Sequence, residues 1–353
     1  MNVAIVGAGF YGCSIALELS KDFPEIEIDL YDKNKDIFHG AASNNQHRLH
    51  KGFHYPRSNE TIDQILSTYT AFKDKYADFI LPTKENYYLI EKTSKVRLED
   101  YVNKYKEYGL PFREVDNFEI EPFVNTELIE GGISNDEEVL DLKKAYEYFK
   151  QRLSNQKNIN MKLNTNVKEI RDSRIDEKKY DYIINCTYDN PNLGIYSDDK
   201  RFSLKYEICI IPIVENFFKE DVCITIMDGP FVSAYQNGLG DLTLSSVLHT
   251  PYFKTQLHSE FYSKLKKDYA YKDIVLKQHT KALLNHCYKY FKNMKDIELK
   301  NLYLSAKVKL RDDVDDLRTT SFTVDGNVIS LLCGKISYIP QAYEVVKREI
   351  SVN

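Results

Sequence analysis

Residues 46–57 read QHRLHKGFHYPR, and these twelve positions hold three histidines, two arginines and a lysine but no carboxylate. The whole chain has only eight histidines. Imidazoles take up and release protons near neutral pH, while arginine and lysine supply positive charge and hydrogen-bond donors. The stretch therefore has the composition of a site that holds an anion and moves a proton beside it. A metal site would use His47, His50 and His54. Gly52 and Pro56 interrupt any helix that would bring those histidines to one face, and no Asp, Glu or Cys within the stretch completes a ligand set. A solvated basic loop is the second reading. The third depends on what the preceding elements bind.

Those elements are compact. Asn2–Val6 is a short run rich in β-branched residues, as in a buried parallel strand. Gly7, Gly9 and Gly12 follow as G-x-G-x-x-G, and Ile15, Ala16 and Leu19 continue at helical spacing. The first glycine permits a tight turn, the second lets backbone approach a pyrophosphate, and the third lets helix pack on strand. The pyrophosphate would sit on the helix N-terminus, where free N–H groups and the dipole favour anions. EIEIDLYD then alternates as a second strand ending at Asp32, where a carboxylate can accept hydrogen bonds from a ribose diol. Strand, turn, helix, strand and terminal acid together predict dinucleotide binding. The acid disfavours NADP and does not separate NAD from FAD.

After Asp32 a NAD-dependent dehydrogenase would continue into a helix and a third strand, yet KNKDIFHGAASNNQHRLHKGFHYPRS is polar, small and punctuated by glycine. It resembles the corresponding segment of the D-amino-acid oxidase superfamily of FAD-dependent oxidoreductases. The echo is strongest in the L-2-hydroxyglutarate and glycerol-3-phosphate dehydrogenase members, with patterns like GRNxGxLHSGxxY. Asn45, Leu49, His50, Gly52 and Tyr55 match at the same spacing. Gln46, His47 and Arg48 depart from the pattern, as does Lys51 where serine is usual. The resemblance implies that the stretch runs beside the flavin. Cations there would stabilise the reduced flavin anion and an anionic substrate. His50 is then the candidate proton acceptor, and Arg48 the charge partner of flavin or substrate.

Further segments carry the resemblance discontinuously. EIEPF (119–123) is similar to the family's EP loop. GGISNDEEVLDLKKAYEYFKQRL is similar to its strand followed by a helix, with Asp141 near the family's aspartate and an apolar face on the helix from 141 to 153. NINMKLNTNVKEI reads as a strand pair in which Val167 would hold the adenine. KYDYIINCTYDNP resembles YDxVINAAG, with Cys186, Thr187 and Tyr188 in place of small residues. Near the C-terminus, Arg318 matches an arginine that would pair with an anionic substrate group. Gly334-Lys335-Ile336 matches the family's helix-opening turn at the flavin's N1–C2 edge, with Cys333 beside it. The implied cofactor contacts are Gly7, Gly9, Phe10, Tyr11, Gly12, Asp32, Lys33, Ala42, Ser43, Arg48, Leu49, Val167, Cys186, Thr187, Gly334, Lys335 and Ile336. The implied catalytic set is His50, Arg48, Arg318 and His249, the last at the end of a strand of the substrate domain. No metal is expected.

Bulk properties set the limits. With 353 residues the chain is long enough for two domains or one large interleaved unit. Its 42% hydrophobic and 29% charged residues are ordinary for a globular protein. A net charge of −5 argues against a nucleic-acid partner. The longest apolar runs are far too short to span a membrane. Six scattered cysteines without C-x-x-C, and a first strand with no basic leader before it, lead us to expect reduced thiols and a cytoplasmic protein. Residues 202–255 alternate as strands, and 255–293, free of glycine and proline, read as one or two amphipathic helices. The expected fold is α/β: a Rossmann-like FAD-binding domain (1–80, 136–195 and 300–353) interleaved with a substrate domain of mixed β-sheet plus helices (81–135 and 196–299). The expected activity is FAD-dependent oxidation of a C–H bond beside an OH or NH2 group of a small anionic substrate. A NAD-dependent dehydrogenase and a non-catalytic flavin-binding protein are the alternatives.

Overall fold

A computed structural model describes residues 1–270, 274–311, 320–332 and 334–351. Strand β1 (Asn2–Val6), helix α1 (Phe10–Asp22) and strand β2 (Glu27–Tyr31) form where the sequence places them. β1 sits inside a six-stranded sheet of order 321–325, 328–332, 182–185, β1, β2, 159–162. Its neighbours β2 and 182–185 both run parallel to it, so the sheet is parallel except for the hairpin 321–325/328–332. The strand beyond β2 is supplied by Ile159–Lys162, far along the chain, and not by the residues after Asp32.

Side-chain alternation covers both faces of this sheet. Val3 and Ile5 pack with Ile15, Ala16 and Leu19 of α1 and with helices Leu142–Asn155 and Ile339–Ser351. Ala4 and Val6 face the opposite way, against Ile170, Tyr180, Leu193 and Ile195. Asp141 caps the helix Leu142–Asn155 by accepting from Lys144 N–H at 3.0 Å. The expected strand pair at 158–170 is a single strand, Ile159–Lys162, and residues 163–170 that follow are irregular.

The second sheet has nine strands in the order 251–255, 204–215, 241–246, 232–236, 222–227, 85–91, 129–135, 112–115, with Leu299–Leu310 also paired to Leu204–Glu215. That pairing assigns 299–310 to the second sheet, which moves the expected domain boundary at 300 past this strand. Along 204–215 the alternation is strict. Leu204, Tyr206, Ile208 and Ile210 enter a core with Phe261, Leu276, Leu283 and Cys287 from helices His258–Ala270 and Ile274–Tyr290. Lys205, Glu207, Cys209 and Ile211 face a cavity. A small third sheet pairs Arg48–Leu49 and Ile80–Leu81 with Glu138–Leu140, fixing the histidine-rich stretch against an acidic segment. Cys13, Cys186, Cys209, Cys223 and Cys287 are buried and form no disulfide among the described residues, and Cys333 lies outside them. Among the described residues no helix is long and apolar enough to cross a membrane.

Candidate active site

The glycine turn is built by close packing. A Cβ on Gly12 would lie 1.9 Å from the Gly7 carbonyl oxygen, and one on Gly7 (φ +106°) would lie 2.6 Å from the Cys186 carbonyl oxygen. Both positions exclude any side chain. Gly9 differs: a Cβ there meets nothing within 4 Å. Gly9 is also the N-cap of α1 with no side-chain cap, so the first-turn N–H groups face open space. Asp32 at the end of β2 accepts from Ala8 N–H at 2.8 Å, which ties the acid to the turn. Asn185 braces the other side, with its Oδ1 accepting from Thr187 N–H at 3.0 Å. Tyr11, in the first turn of α1, donates to the Lys335 carbonyl and so joins the N-terminal motif to the C-terminal one. This cradle fits FAD: the space over Gly9 suits a pyrophosphate.

From Phe10 the cradle opens into a cavity of about 650 Å³. One end is lined by His47, Arg48, His50, His54 and Tyr55 together with Gly334, Lys335 and Ile336. The other end is the cavity-facing side of strands 204–215, 251–255 and 299–310. Lys335 lies over the Tyr55 ring, 3.8 Å from its centroid, and donates to the Tyr55 hydroxyl. Burial, and then the Arg48 charge, hold the Lys335 ammonium well below the usual lysine range.

Beneath this end runs a buried polar chain. Arg48 Nη2 donates to Tyr88 Oη at 2.6 Å and to Thr225 Oγ1 at 3.0 Å, and the guanidinium stacks on Tyr235, 3.8 Å from its centroid. Tyr88 passes the bond on to Glu137 Oε2 at 2.6 Å, and Glu137 Oε1 accepts from Lys51 N–H at 2.7 Å. Glu137 is 1% exposed. Burial raises its pKa, against the lowering effects of Arg48, Tyr88 and the Lys51 amide. Its Oε2 lies 3.6 Å from His50 Nδ1. A carboxylate on one imidazole nitrogen raises the basicity of the ring and orients the other nitrogen. Arg48 Nε is buried and has no hydrogen-bond acceptor among the described residues, a donor available to a cofactor or substrate oxygen.

The structure brings Arg48, His50, Lys335 and Ile336 to one end of the cavity and sets Gly7, Gly9, Phe10, Gly12, Asp32, Cys186 and Thr187 around the cradle. Ala42 and Ser43 lie in the single turn Ala41–Ser43, whose Ala41 lines the cavity. Lys33 is engaged by Asp189 at 2.7 Å. The Leu49 side chain is buried in the core of the first sheet, and Val167 packs against the opposite core. His249 does not line the cavity: it lies in the turn after Asp241–Ser246, with its ring 5.6 Å from that of His286. Arg318 lies outside the described residues. The expected helix opening at 334–336 takes the form of a turn at Ile336–Tyr338 leading into the helix Ile339–Ser351. Tyr188 lines the cavity and accepts from Val308 N–H at 3.2 Å, so it caps the site. Sequence reasoning missed Glu137, Tyr88, Thr225 and Tyr235, which come from three distant strands and the loop before a fourth. It also missed the cavity face of 204–215, which its alternation could have revealed.

The family model "DAO: FAD dependent oxidoreductase" matches residues 2–303. Among curated proteins, the chain is 31% identical over 262 residues to the FAD-dependent monooxygenase FPY4 of Fusarium mangiferae, a match covering 72% of this chain and 66% of that protein. It is 40% identical over 81 residues to the FAD-dependent monooxygenase kojA of Aspergillus flavus, covering 23% of this chain and 18% of that one. Among solved structures, the fold matches L-alpha-glycerophosphate oxidase from Mycoplasma pneumoniae with FAD bound (TM-score 0.69, 15% identity, 98% of this chain and 94% of that one). It also matches glycine oxidase from Geobacillus kaustophilus (TM-score 0.68, 13% identity, 98% and 93%). The amino acid oxidase NikD matches with TM-score 0.71 at 11% identity, over 97% and 92%.

Proposed function

The chain belongs to the DAO family of FAD-dependent oxidoreductases, and on that footing we propose that it oxidises a C–H bond beside an OH or NH2 group of a small anionic substrate bound between His50, Arg48 and Lys335. The observation that carries this reading is the placement of His50 on the cavity wall with its Nδ1 3.6 Å from the buried Glu137 carboxylate. FAD, when bound, supplies the acceptor for the hydride. His50 takes the proton from the substrate's hydroxyl or amine, and Glu137 holds the ring and favours its protonated form. Arg48, fixed by Tyr88, Thr225 and Tyr235, presents a preorganised positive charge that need not reorient during the reaction. Lys335 supplies a further hydrogen-bond donor on the same side. The NAD-dependent alternative gives way to family membership.

The test is anaerobic addition of 2-hydroxy acids, amino acids and phosphorylated polyols to the yellow protein, watching the visible flavin band bleach. His50→Ala is expected to keep its flavin and to bleach about 10²- to 10⁴-fold more slowly, the usual contribution of a positioned base. An unchanged rate would remove His50 from this role. The names of FPY4 and kojA favour a second reading, monooxygenation. It predicts oxygen uptake with a product one oxygen atom heavier, where an oxidase releases hydrogen peroxide.

A further inference from the structure

Two residues before Arg48, the Gln46 side chain reaches across to strands 232–236 and 241–246. Its Nε2 donates to the Thr243 carbonyl at 3.2 Å. Thr243 Oγ1 gives its own proton to the Tyr235 carbonyl at 2.9 Å, so toward Gln46 Nε2, 3.4 Å away, it can only accept. These two acceptors fix the orientation of the amide. Gln46 Oε1 therefore faces Ser233 and accepts from its Oγ at 3.2 Å. A serine hydroxyl has one proton and two lone pairs, and that of Ser233 is now committed. Ser245 stands directly opposite Ser233 in the strand register, with its Oγ 2.7 Å from Ser233 Oγ, and so must be the donor of that pair. The polarity set at a backbone carbonyl thus runs through three side chains and ends at Ser245 Oγ, which accepts no hydrogen bond among the described residues.

Gln46, Ser233 and Ser245 all line the cavity. Ser233 is buried, at 4% exposure, so reversing the chain would leave a buried partner unmatched. Thr225, Ser233 and Ser245 form one row across three neighbouring strands, and Thr225 anchors Arg48. The row spans two strand spacings, about 10 Å, so its open acceptor lies well away from the anchored cation. An acceptor on the wall calls for a donor on the ligand. A carboxylate offers only lone pairs, and an ammonium would share the cavity with the Arg48 charge. A neutral hydroxyl meets neither objection.

We infer that Ser245, held in direction by Ser233 and Gln46, is a specificity-determining residue that accepts a hydrogen bond from a substrate hydroxyl remote from the carbon that is oxidised. The substrate is then a polyhydroxylated molecule. The inference rests on the proposed oxidation site at His50, which fixes the other end of the substrate. Ser233 and Gln46 are positioning residues, because they act only through Ser245.

Anaerobic calorimetric titration of the purified full-length flavoprotein tests this. The probes are butyrate, pentanoate and hexanoate, their ω-hydroxy and ω-amino derivatives, and the dicarboxylates of the same lengths. At the length that reaches Ser245, the hydroxy acid is expected to bind about three- to tenfold more tightly than its parent acid, as one added neutral hydrogen bond implies. The amino derivative should show no such gain. Ser245→Ala, a small change, should bring the ratio of hydroxy acid to parent to one, and Ser245→Thr should keep part of it. Ser233→Ala releases the Ser245 proton to the cavity and should shift preference from the hydroxy acid toward the dicarboxylate, a change of opposite sign that a merely structural role would not produce. No gain for any hydroxy acid, a gain that survives Ser245→Ala, a larger gain for the amino derivative, or a preference unmoved by Ser233→Ala overturns the inference. A hydroxyl preference without bleaching of the flavin by any hydroxy or amino acid would refute the oxidation site and leave the acceptor standing. Bleaching without the preference would do the reverse.

Discussion

Gly9→Val separates cofactor binding from folding. Gly9 has φ −80° and ψ −170°, an extended conformation that suits a β-branched residue, and its Cβ position is open to 4 Å. As an N-cap without a side-chain bond it gives up little, so the apoprotein should lose no more than about 1 kcal/mol. The valine methyls, however, fill the space over the first turn of α1. If they remove two charge-assisted hydrogen bonds from backbone N–H groups to the pyrophosphate, at about 1.5–3 kcal/mol each, affinity for FAD falls by about 10²- to 10⁴-fold. The wild type at a hundredfold excess of FAD over its dissociation constant gains about 2.7 kcal/mol of stability from the ligand, and the variant should lose nearly all of that gain. The assay is the ratio of visible to ultraviolet absorbance after purification, with thermal melts in the presence and absence of added FAD. Gly12→Ala is the contrast. Its Cβ would overlap the Gly7 carbonyl at 1.9 Å, so backbone must move and the apoprotein itself should melt early. A Gly9→Val protein that purifies with stoichiometric flavin would refute the placement of the pyrophosphate.

Glu137→Gln keeps the shape of the acceptor for the Lys51 amide and Tyr88 but removes the charge beside His50. kcat/KM should fall roughly tenfold to a hundredfold, and its acidic limb should move to lower pH, because a lost anion lowers the proton affinity of the neighbouring imidazole. Glu137→Asp should recover part of both, and an unmoved pH profile would reduce Glu137 to a structural role. Arg48→Met leaves Tyr88 and Glu137 buried without their cation and should cost about 3 kcal/mol in a denaturant titration. Asp325 accepts from the Ser197 amide, the Ser197 hydroxyl and the Tyr196 amide, which hold its carboxyl down at about 2. A depressed folded-state pKa gives stability that is fully present above the unfolded value of about 3.9 and is lost as pH falls toward the folded one. Asp325→Asn should therefore flatten the stability–pH curve between about pH 4 and 2, and an unchanged acid slope would show that other carboxylates set it.

What was legible in the sequence follows from how local each interaction is. β1, the glycine turn, α1 and β2 contact one another within one short segment, so spacing alone carried that part of the fold. The strand beyond β2 was illegible because it comes from Ile159–Lys162 after an excursion through the third and second sheets, and no periodicity reports which distant strand completes a parallel sheet. His249 was misdirected for a similar reason: a strand end identifies the residue, but the turn decides which way its ring goes, here toward His286. The absence of carboxylates from QHRLHKGFHYPR has its answer in the third sheet. Arg48 and Leu49 pair antiparallel with Val139 and Glu138, and that register delivers the acids from another part of the chain. Asp136 pairs with Lys51 at 2.5 Å, Glu137 lies under His50, and Glu138 meets Lys73 at 2.7 Å. Read in sequence, NDEEVL is a solvated acidic run. Two of its acids are buried in the fold because the cations opposite them offset the cost of burial. The basic and acidic stretches are two halves of one device, separated in the chain and joined by three hydrogen-bonded strands too short to leave a periodic signature.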